Sequence, residues 1–284
     1  MNRIDTILFP TDLTDDAHMA FEYALEMARR TGARLHILHA IEEPYDFATR
    51  LEETMEALEE KAWETMDRLK AHIRERENYS DLQVEFHVER GSPKPVITAQ
   101  LDNIKPDLMV MGTKSESNLK RLLFGDVTSD VILEADVPIL TVPVNSKKPY
   151  LDRFLFATDF RSGDLESLRN TVHLARLCEA EIHILHVSPQ KDLETEIKFR
   201  GFADYVTEKV DFDSFTFVHV EAPRFTDGVA EYTDKNPVSM LVITRYKKKF
   251  LSSLFRTSDT QGLPQQIHMP MLVLLSSGNQ PDIS

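Results

Sequence analysis

Cysteine and long apolar runs are nearly absent from the chain. Its one cysteine, Cys178, excludes an internal disulfide and a thiolate zinc cluster, and it suits a reducing compartment. No apolar run reaches the roughly 20 residues needed to cross a bilayer. The first apolar run ends at Asp12, which does not fit a secretory signal peptide. We therefore expect a cytoplasmic protein without a membrane anchor.

Basic residues are also scarce, because 33 Lys and Arg stand against 47 Asp and Glu, a net charge of −14. An acidic surface repels phosphate backbones and anionic lipids, so the composition argues against nucleic-acid and membrane partners. What the chain does have is length and apolar content. Its 284 residues, 42% of them hydrophobic, are enough for two cores of ordinary domain size.

An internal repeat divides the chain. Residues 4–39 align without a gap with residues 151–186, sharing LF-x-TD and HILH at an offset of 147. Residues 107–114 align with residues 239–246 at an offset of 132, so the second copy is 15 residues shorter in its middle. The duplication predicts two domains, at residues 1–146 and 150–276. The polar composition of residues 277–284, with Gly and Pro, predicts a disordered tail.

Short apolar runs alternate with amphipathic runs in the first copy. The predicted strands are residues 6–10, 35–41, 82–89, 108–112 and 139–142. The predicted helices are residues 15–31, 48–77, 96–103 and 127–134. Because short apolar strands that alternate with helices form parallel sheets covered on both faces, each copy is predicted to be an α/β domain.

Three segments end at the carboxyl edge of this predicted sheet, where open parallel sheets bind ligands. They are Pro10-Thr11-Asp12, His39-Ala40-Ile41 and Met111-Gly112-Thr113-Lys114. The third opens a loop that runs to Gly125, just before a predicted helix. Glycines at the two ends of such a loop let backbone N–H groups converge on an anion. The spacing matches neither a Walker P-loop nor a GxGxxG fingerprint.

Together, ILFPTD, VMGTKSESNLKRLLFGDVTSDVI and VPILTVP resemble the universal stress protein family, and the duplication resembles its tandem form. The resemblance implies two flavodoxin-like or Rossmann-like domains, each a five-stranded parallel sheet flanked by helices, of the adenine nucleotide alpha hydrolase-like kind. It also implies that ATP or another adenine nucleotide is the cofactor, with Mg²⁺ if bound. The implied nucleotide-binding residues are Pro10, Thr11, Asp12, Ala40, Met111, Gly112, Thr113, Lys114, Ser115, Gly125, Asp126, Val127 and Thr128.

By the same resemblance, Asp12 faces the ribose or adenine end of the nucleotide and Ala40 lends its backbone to the base. Two positions depart from the family's phosphate motif, since Ser115 replaces its middle glycine and Asp126 replaces its Ser or Thr. An ionised Asp126 only accepts hydrogen bonds, and at ~4 Å it repels a phosphate charge by about 1–4 kcal/mol. Asp126 therefore either caps the next helix or meets a phosphate through a bridging metal ion.

The second copy keeps Asp159 at the position of Asp12, but its loop, ITRYKKKFLSSLFRTSD, contains no glycine. Aligned by the ends of the strands, Arg245 takes the place of Gly112. Arg245 also begins a basic run with Lys247–Lys249. That run either binds an anion or forms a solvated face. The second copy is thus predicted to have lost the nucleotide loop.

The HILH motif contains His36 and His39 in the first copy and His183 and His186 in the second. Residues three apart on a strand point to opposite faces, so neither pair can chelate one metal ion. We expect these histidines to be packing or strand-end groups. Cys178 has no paired histidine within sequence reach, and no nucleophile–base pair or metal-ligand cluster that would support catalysis is evident, so no catalytic residue is predicted.

The leading interpretation is a non-enzymatic tandem universal stress protein with a nucleotide cleft in its first half. Two alternatives stay open. One is a slow Mg-dependent nucleotide hydrolase or adenylyl-transferring enzyme, and the other is a pure interaction module with an unknown protein partner and no ligand. The apolar last strands, residues 139–142 and 271–275, predict an internal pseudo-dimer of the two halves and a homodimer through the same edges.

Overall fold

Two compact units, Arg3–Lys148 and Pro149–Ser284, make up the computed structural model. The predicted tail, residues 277–284, and most of the predicted helix at residues 127–134 lie outside the described residues. None of the helices in the described part of the chain is long and apolar enough to cross a bilayer. The structure describes residues 3–43, 51–113, 131, 135–246 and 269–276.

The first unit alternates strands and helices, as the sequence predicts. Its strands are β1 (Thr6–Pro10), β2 (Arg34–Ile41), β3 (Val84–Arg90), β4 (Leu108–Thr113) and β5 (Ile139–Pro143). Its described helices are α1 (His18–Thr31), α2 (Leu51–Glu75) and α3 (Pro93–Ile104). Gly32 ends α1 with a φ of 72°, the left-handed conformation that glycine adopts without strain.

The strands of the first unit are all parallel and follow the order β3-β2-β1-β4-β5. Of the two sheet types named in the prediction, this is the Rossmann order. The order reverses at β1, which pairs with β2 on one side and β4 on the other. The carboxyl ends of β1 and β4 therefore border the crevice where open α/β sheets bind ligands.

The central strands are apolar along their length because helices cover both faces of the sheet. Ile7, Leu8 and Phe9 of β1 are each at most 1% exposed. On α1, Phe21 is buried, and its ring centroid lies 6.0 Å from that of Phe9. Full burial of an apolar side chain of this size contributes about 1.5–3 kcal/mol. This core holds the carboxyl edge of the sheet in place.

The second unit repeats the pattern in the order β10-β9-β6-β7-β8, again with parallel pairs. Its strands are β6 (Arg153–Ala157), β7 (Glu181–Ser188), β8 (Phe215–Glu221), β9 (Met240–Arg245) and β10 (Met271–Leu275). Its described helices are α4 (Ser162–Cys178), α5 (Leu193–Lys209) and α6 (Phe225–Lys235). Since α5 has 17 residues where α2 has 25, much of the shortening lies in this helix.

Several predicted boundaries move by a few residues. The helix predicted at residues 15–31 begins as a 3-10 turn, Asp15–Ala17, before α1. The helix predicted at residues 96–103 begins at Pro93, because proline fits the first helical turn, where its missing N–H has no helical partner. The strand predicted at residues 82–89 begins at Val84.

Strand register makes the two units comparable residue by residue. Residues of β4 and β9 that pair with equivalent residues of β1 and β6 differ by 132 in number. Gly112 therefore corresponds to Thr244. The prediction that Arg245 replaces Gly112 is wrong by one residue, because β4 extends to Thr113, and Arg245 corresponds to Thr113.

One packing contact is built differently in the two units. Gly228 of α6 lies against Val187 of β7 so closely that a Cβ atom on Gly228 would be 2.5 Å from Cγ1 of Val187. The equivalent positions of the first unit are Val96 in α3 and Ala40 in β2. The larger residue has moved from the helix to the strand, so the combined volume of the pair is nearly conserved.

Candidate functional site

The loop after β1 is a tight turn that presents Asp12. Its Oδ1 atom accepts hydrogen bonds from the Thr14 N–H at 3.1 Å and the Thr14 hydroxyl at 2.6 Å. Leu13 has a positive φ of 60°, and its N–H donates to Oγ1 of Thr11. The Thr11 N–H donates to the Leu38 carbonyl of β2 at 2.8 Å. The turn positions an exposed carboxylate whose Oδ2 can accept a hydrogen bond from a hydroxyl group.

The end of β4 lies against the start of α1. A Cβ atom on Gly112 would be 3.5 Å from Cβ of Ala20 and 3.9 Å from Cα of Ala17. Met111 and Thr113 on either side are buried, whereas Gly112 is partly exposed. The small residues on both elements leave the backbone of Gly112 accessible beside the loop after β1.

The third predicted segment ends β2 at the same edge of the sheet. Ala40 is half-buried, and Nδ1–H of His39 donates to the Thr11 carbonyl at 2.9 Å, so this histidine is a strand-end group as predicted. The predicted site residues found at this edge are Pro10, Thr11, Asp12, Ala40, Met111, Gly112 and Thr113. The predicted site residues that lie outside the described residues are Lys114, Ser115, Gly125, Asp126, Val127 and Thr128.

A hydrogen-bond network around Asp164 occupies the equivalent edge of the second unit. Oδ2 of Asp164 accepts from the Thr158 hydroxyl at 2.7 Å and from the N–H groups of Asp159 and Arg161, both at 3.1 Å. Oδ1 accepts from the hydroxyl of Tyr246, the residue after β9. Asp164, 2% exposed, thus ties α4 to the loop after β6 and to the end of β9.

The electrostatics of this network favour a phenol that donates to a carboxylate. Burial raises the pKa of Asp164, and the hydrogen bonds that it accepts oppose that rise. Burial, followed by the negative charge of Asp164, raises the pKa of Tyr246, so the phenol keeps its proton. In the first unit the position of Asp164 is held by Ala17, and no carboxylate is present there.

Arg245, the last residue of β9, is only 5% exposed and so does not begin a solvated basic face. The remaining lysines of the run, Lys247–Lys249, lie outside the described residues. The anion site suggested for the run from Arg245 to Lys249 stays a prediction.

Three residues of the second unit have the contacts of a serine–histidine–acid triad, which sequence reasoning missed. Ser188 Oγ is 2.8 Å from Nε2 of His219, and Nδ1 of His219 is 3.0 Å from Oε1 of Glu196. The sequence did not show this pair, because Ser188 and His219 lie on different strands. However, the Ser188 hydroxyl donates to the Gln190 carbonyl at 2.7 Å, so its proton is not available to His219 while that bond stands. Ser188 is also buried, and the network joins β7, β8 and α5.

A second missed cluster joins His36 of β2 to Glu85 and His87 of β3. Nδ1 of His36 is 2.9 Å from Nε2 of His87 and 3.6 Å from Oε2 of Glu85. The sequence did not show this cluster, because its side chains meet across strands and not along one. The alternation Glu85-x-His87, on a strand expected to lie beside β2, is the signal that could have found it.

Sequence comparisons identify related proteins. Residues 3–143 match the model of the Universal stress protein family. A universal stress protein of Methanocaldococcus jannaschii is 29% identical over 156 residues, which are 52% of this chain and 85% of that protein. An uncharacterized protein of Schizosaccharomyces pombe is 27% identical over 146 residues, 50% of this chain. The chain spans only 24% of that relative's length.

Two solved structures extend the comparison. The crystal structure of a universal stress protein from Archaeoglobus fulgidus is similar over 98% of this chain and 99% of its own, with a TM-score of 0.74 and 17% identity. A universal stress protein in complex with cAMP is similar over 50% of this chain and 99% of its own, with a TM-score of 0.37 and 24% identity. The first likeness extends the fold to both units, and through residues 3–143 the chain belongs to the universal stress protein family.

Proposed function

We propose that this chain is a non-enzymatic, cytoplasmic stress-response protein whose first unit binds one adenine nucleotide at the carboxyl edge of β1 and β4. The observation that carries the proposal is the position of Gly112. It lies at the topological switch point, against the small residues Ala17 and Ala20, beside the loop that presents Asp12. Backbone accessibility at a strand end is what a bound phosphate requires.

The described residues fit a nucleotide in the first unit and oppose one in the second. Asp12 is exposed, and a ribose hydroxyl can donate to its Oδ2. At the second edge, the buried carboxylate of Asp164 would repel a phosphate, and Tyr246 already binds it. The proposal is therefore one nucleotide per chain.

Isothermal titration calorimetry with ATP, with and without Mg²⁺, tests the proposal. We expect one site per chain in the wild type and a 10- to 100-fold weaker site, roughly, in Asp12→Asn, because a hydrogen bond to a charged group is lost. Asn can keep the turn to Thr14. The matched control is Asp159→Asn at the equivalent exposed position of the second unit, which leaves the affinity unchanged. Absence of ATP binding by the wild type, or equal losses in both variants, would overturn the proposal.

Universal stress proteins are generally non-catalytic, and the proposal extends this to the present chain. Phosphate release from Mg-ATP measures it, and we expect release no faster than in buffer. Turnover that is lost in Asp126→Ala would instead support the slow hydrolase. The pairing of the two halves, and of two chains, through the last strands stays a prediction, and sedimentation velocity measures the association of chains.

A further inference from the structure

His36, Glu85 and His87 lie on one face of neighbouring strands for a reason of register. His36 of β2 pairs directly with Glu85 of β3, and Leu38, two residues on, pairs with His87. Residues two apart on a strand share a face, so Glu85 and His87 both project to the side of His36. Their ligand atoms all lie within 4.8 Å of one another.

The distances are close to those of a tetrahedral zinc site. Zinc binds histidine nitrogens and carboxylate oxygens at about 2.0–2.2 Å, which separates two ligand atoms by roughly 3.3–3.5 Å at a tetrahedral angle. Nδ1 of His36 is 2.9 Å from Nε2 of His87 and 3.6 Å from Oε2 of Glu85. The third separation, between Nε2 of His87 and the carboxylate of Glu85, is at most 4.8 Å, so side-chain adjustments without a change of register would seat the ion.

The surroundings of His36 and Glu85 are compatible with metal binding. His36 is 7% exposed, whereas Glu85 is exposed and lies open to an entering ion. Nε of Arg34 lies 3.4 Å from Oε1 of Glu85, the oxygen that is not directed at His36. Because that surface ion pair is half-exposed and weak, it orients the carboxylate without preventing coordination.

We propose that Nδ1 of His36, Nε2 of His87 and a carboxylate oxygen of Glu85 bind one Zn²⁺ ion, with water as the fourth ligand. The ion replaces the hydrogen bond between the two imidazoles, whose shared proton moves to another nitrogen of its own ring through solvent. Two nitrogen ligands favour zinc over Mg²⁺ and Ca²⁺, which prefer oxygen. The site is independent of the proposed nucleotide edge, because His36 is the third residue of β2 and far from its carboxyl end.

The bound ion would join β3, the last strand in the order of the first unit, to β2. Zinc should therefore stabilise the first unit. At a free concentration 100 times the Kd, we expect the Tm to rise by about 5–10 °C. Mg²⁺ at the same concentration should leave the Tm unchanged.

The second unit supplies the variants. It has a histidine at the same place, His183, but Thr216 and Val218 stand where the first unit has Glu85 and His87. Glu85→Thr and His87→Val therefore introduce residues that this fold already carries at those positions. The control is His183→Ala, which removes the equivalent histidine, and circular dichroism verifies that each variant is folded.

The test is calorimetry of the full-length, chelator-treated chain with ZnCl₂, with Co²⁺ absorption as a second readout. We expect one Zn²⁺ per chain and a tetrahedral Co²⁺ spectrum. Glu85→Thr and His87→Val should each weaken binding by more than the roughly 10- to 100-fold cost of losing a second-shell partner. His183→Ala should bind as the wild type does. A wild type that takes up no zinc, or variants that bind it unchanged, would overturn the proposal.

Discussion

At the carboxyl edge of the first unit, Ala17 and Gly112 leave backbone accessible between α1 and β4. At the same edge of the second unit, Asp164 and Thr244 stand in their places and Tyr246 bridges α4 to the end of β9. A buried carboxylate at the start of a helix occupies the place that a bound anion would take. The second unit thus places a carboxylate and a phenol at the edge where we propose that the first unit binds a ligand.

The units differ in the same way on β2 and β3. His36 meets two potential ligands in the first unit, whereas His183 of the second donates to or accepts from the hydroxyl of Tyr232 on α6. The central residues of β1 and β6, by contrast, remain apolar in both copies, with Leu8 and Leu155 both fully buried. Duplication has kept the scaffold and changed the residues at its edges.

The largest effect is expected from a substitution that breaks the hydrogen-bond network around Asp164, which distinguishes the second unit. Asp164→Ala should lower the free energy of unfolding by about 3 kcal/mol, because buried donors lose their acceptor. Urea unfolding followed by circular dichroism measures the loss, and fluorescence of Trp63, the one tryptophan of the chain, follows the first unit separately. Asp159→Ala, in the exposed part of the loop, should change stability by less than about 0.5 kcal/mol. A cost below about 1 kcal/mol for Asp164→Ala would contradict the role given to the network.

A smaller effect tests the exchanged packing contact. Gly228→Ala should destabilise the second unit by about 1–3 kcal/mol, because the new Cβ would lie 2.5 Å from Val187. Val187→Ala added to it should recover most of that loss. Gly201→Ala in α5, where a Cβ would meet nothing within 4 Å, should instead stabilise by about 0.5–1 kcal/mol. Equal effects of the two glycine variants in thermal unfolding would refute the packing argument.

Acidification should weaken the second unit more than the first. Burial lowers the pKa of His36, His183 and His186 below 6.5, and two of these three lie in the second unit. Below pH ~6.5 the unfolded chain binds protons that the folded chain excludes, so the free energy of unfolding decreases as the pH falls. Urea titrations at about pH 7.5 and 5.5, with Trp63 and circular dichroism as probes, compare the units. A larger loss in the first unit would contradict this account.

The smallest expected effect is the absence of any covalent reaction at Ser188. A fluorophosphonate probe should not label Ser188 above background, because the hydroxyl is buried and donates to the Gln190 carbonyl. Mass spectrometry of the treated chain, with Ser188→Ala for comparison, measures this. Specific labelling of Ser188 would mean that the triad is a working nucleophile and that the two units differ in catalysis as well.

Much of this could be predicted from sequence because it depends on local pattern. Apolar runs identified the strands, and the rule that parallel strands share a carboxyl edge brought together Asp12, Ala40 and Gly112. Contacts between distant segments could not be predicted. Tyr246 is 82 residues from Asp164, and their hydrogen bond depends on where each strand ends.

Strand register also explains why the two side-chain clusters were not predicted. His36 meets Glu85 only because β2 and β3 pair in one register, and a slip of one residue would turn Glu85 and His87 to the opposite face. Ser188 and His219 similarly come from two strands and Glu196 from a helix. The sequence shows which residue types are present but not which of them become neighbours in the fold, so both clusters were missed.

The exchange of a large and a small residue at Val187 and Gly228 limits how the two halves can diverge or recombine. Starting from Ala40 and Val96, replacing the strand alanine by valine places two valines against each other. Replacing the helix valine by glycine leaves a cavity. Both intermediates cost stability, since facing valines overlap and a cavity loses packing contacts. A helix moved alone between the halves clashes or packs loosely, whereas helix and strand moved together fit. The helix and the strand therefore have to be exchanged together.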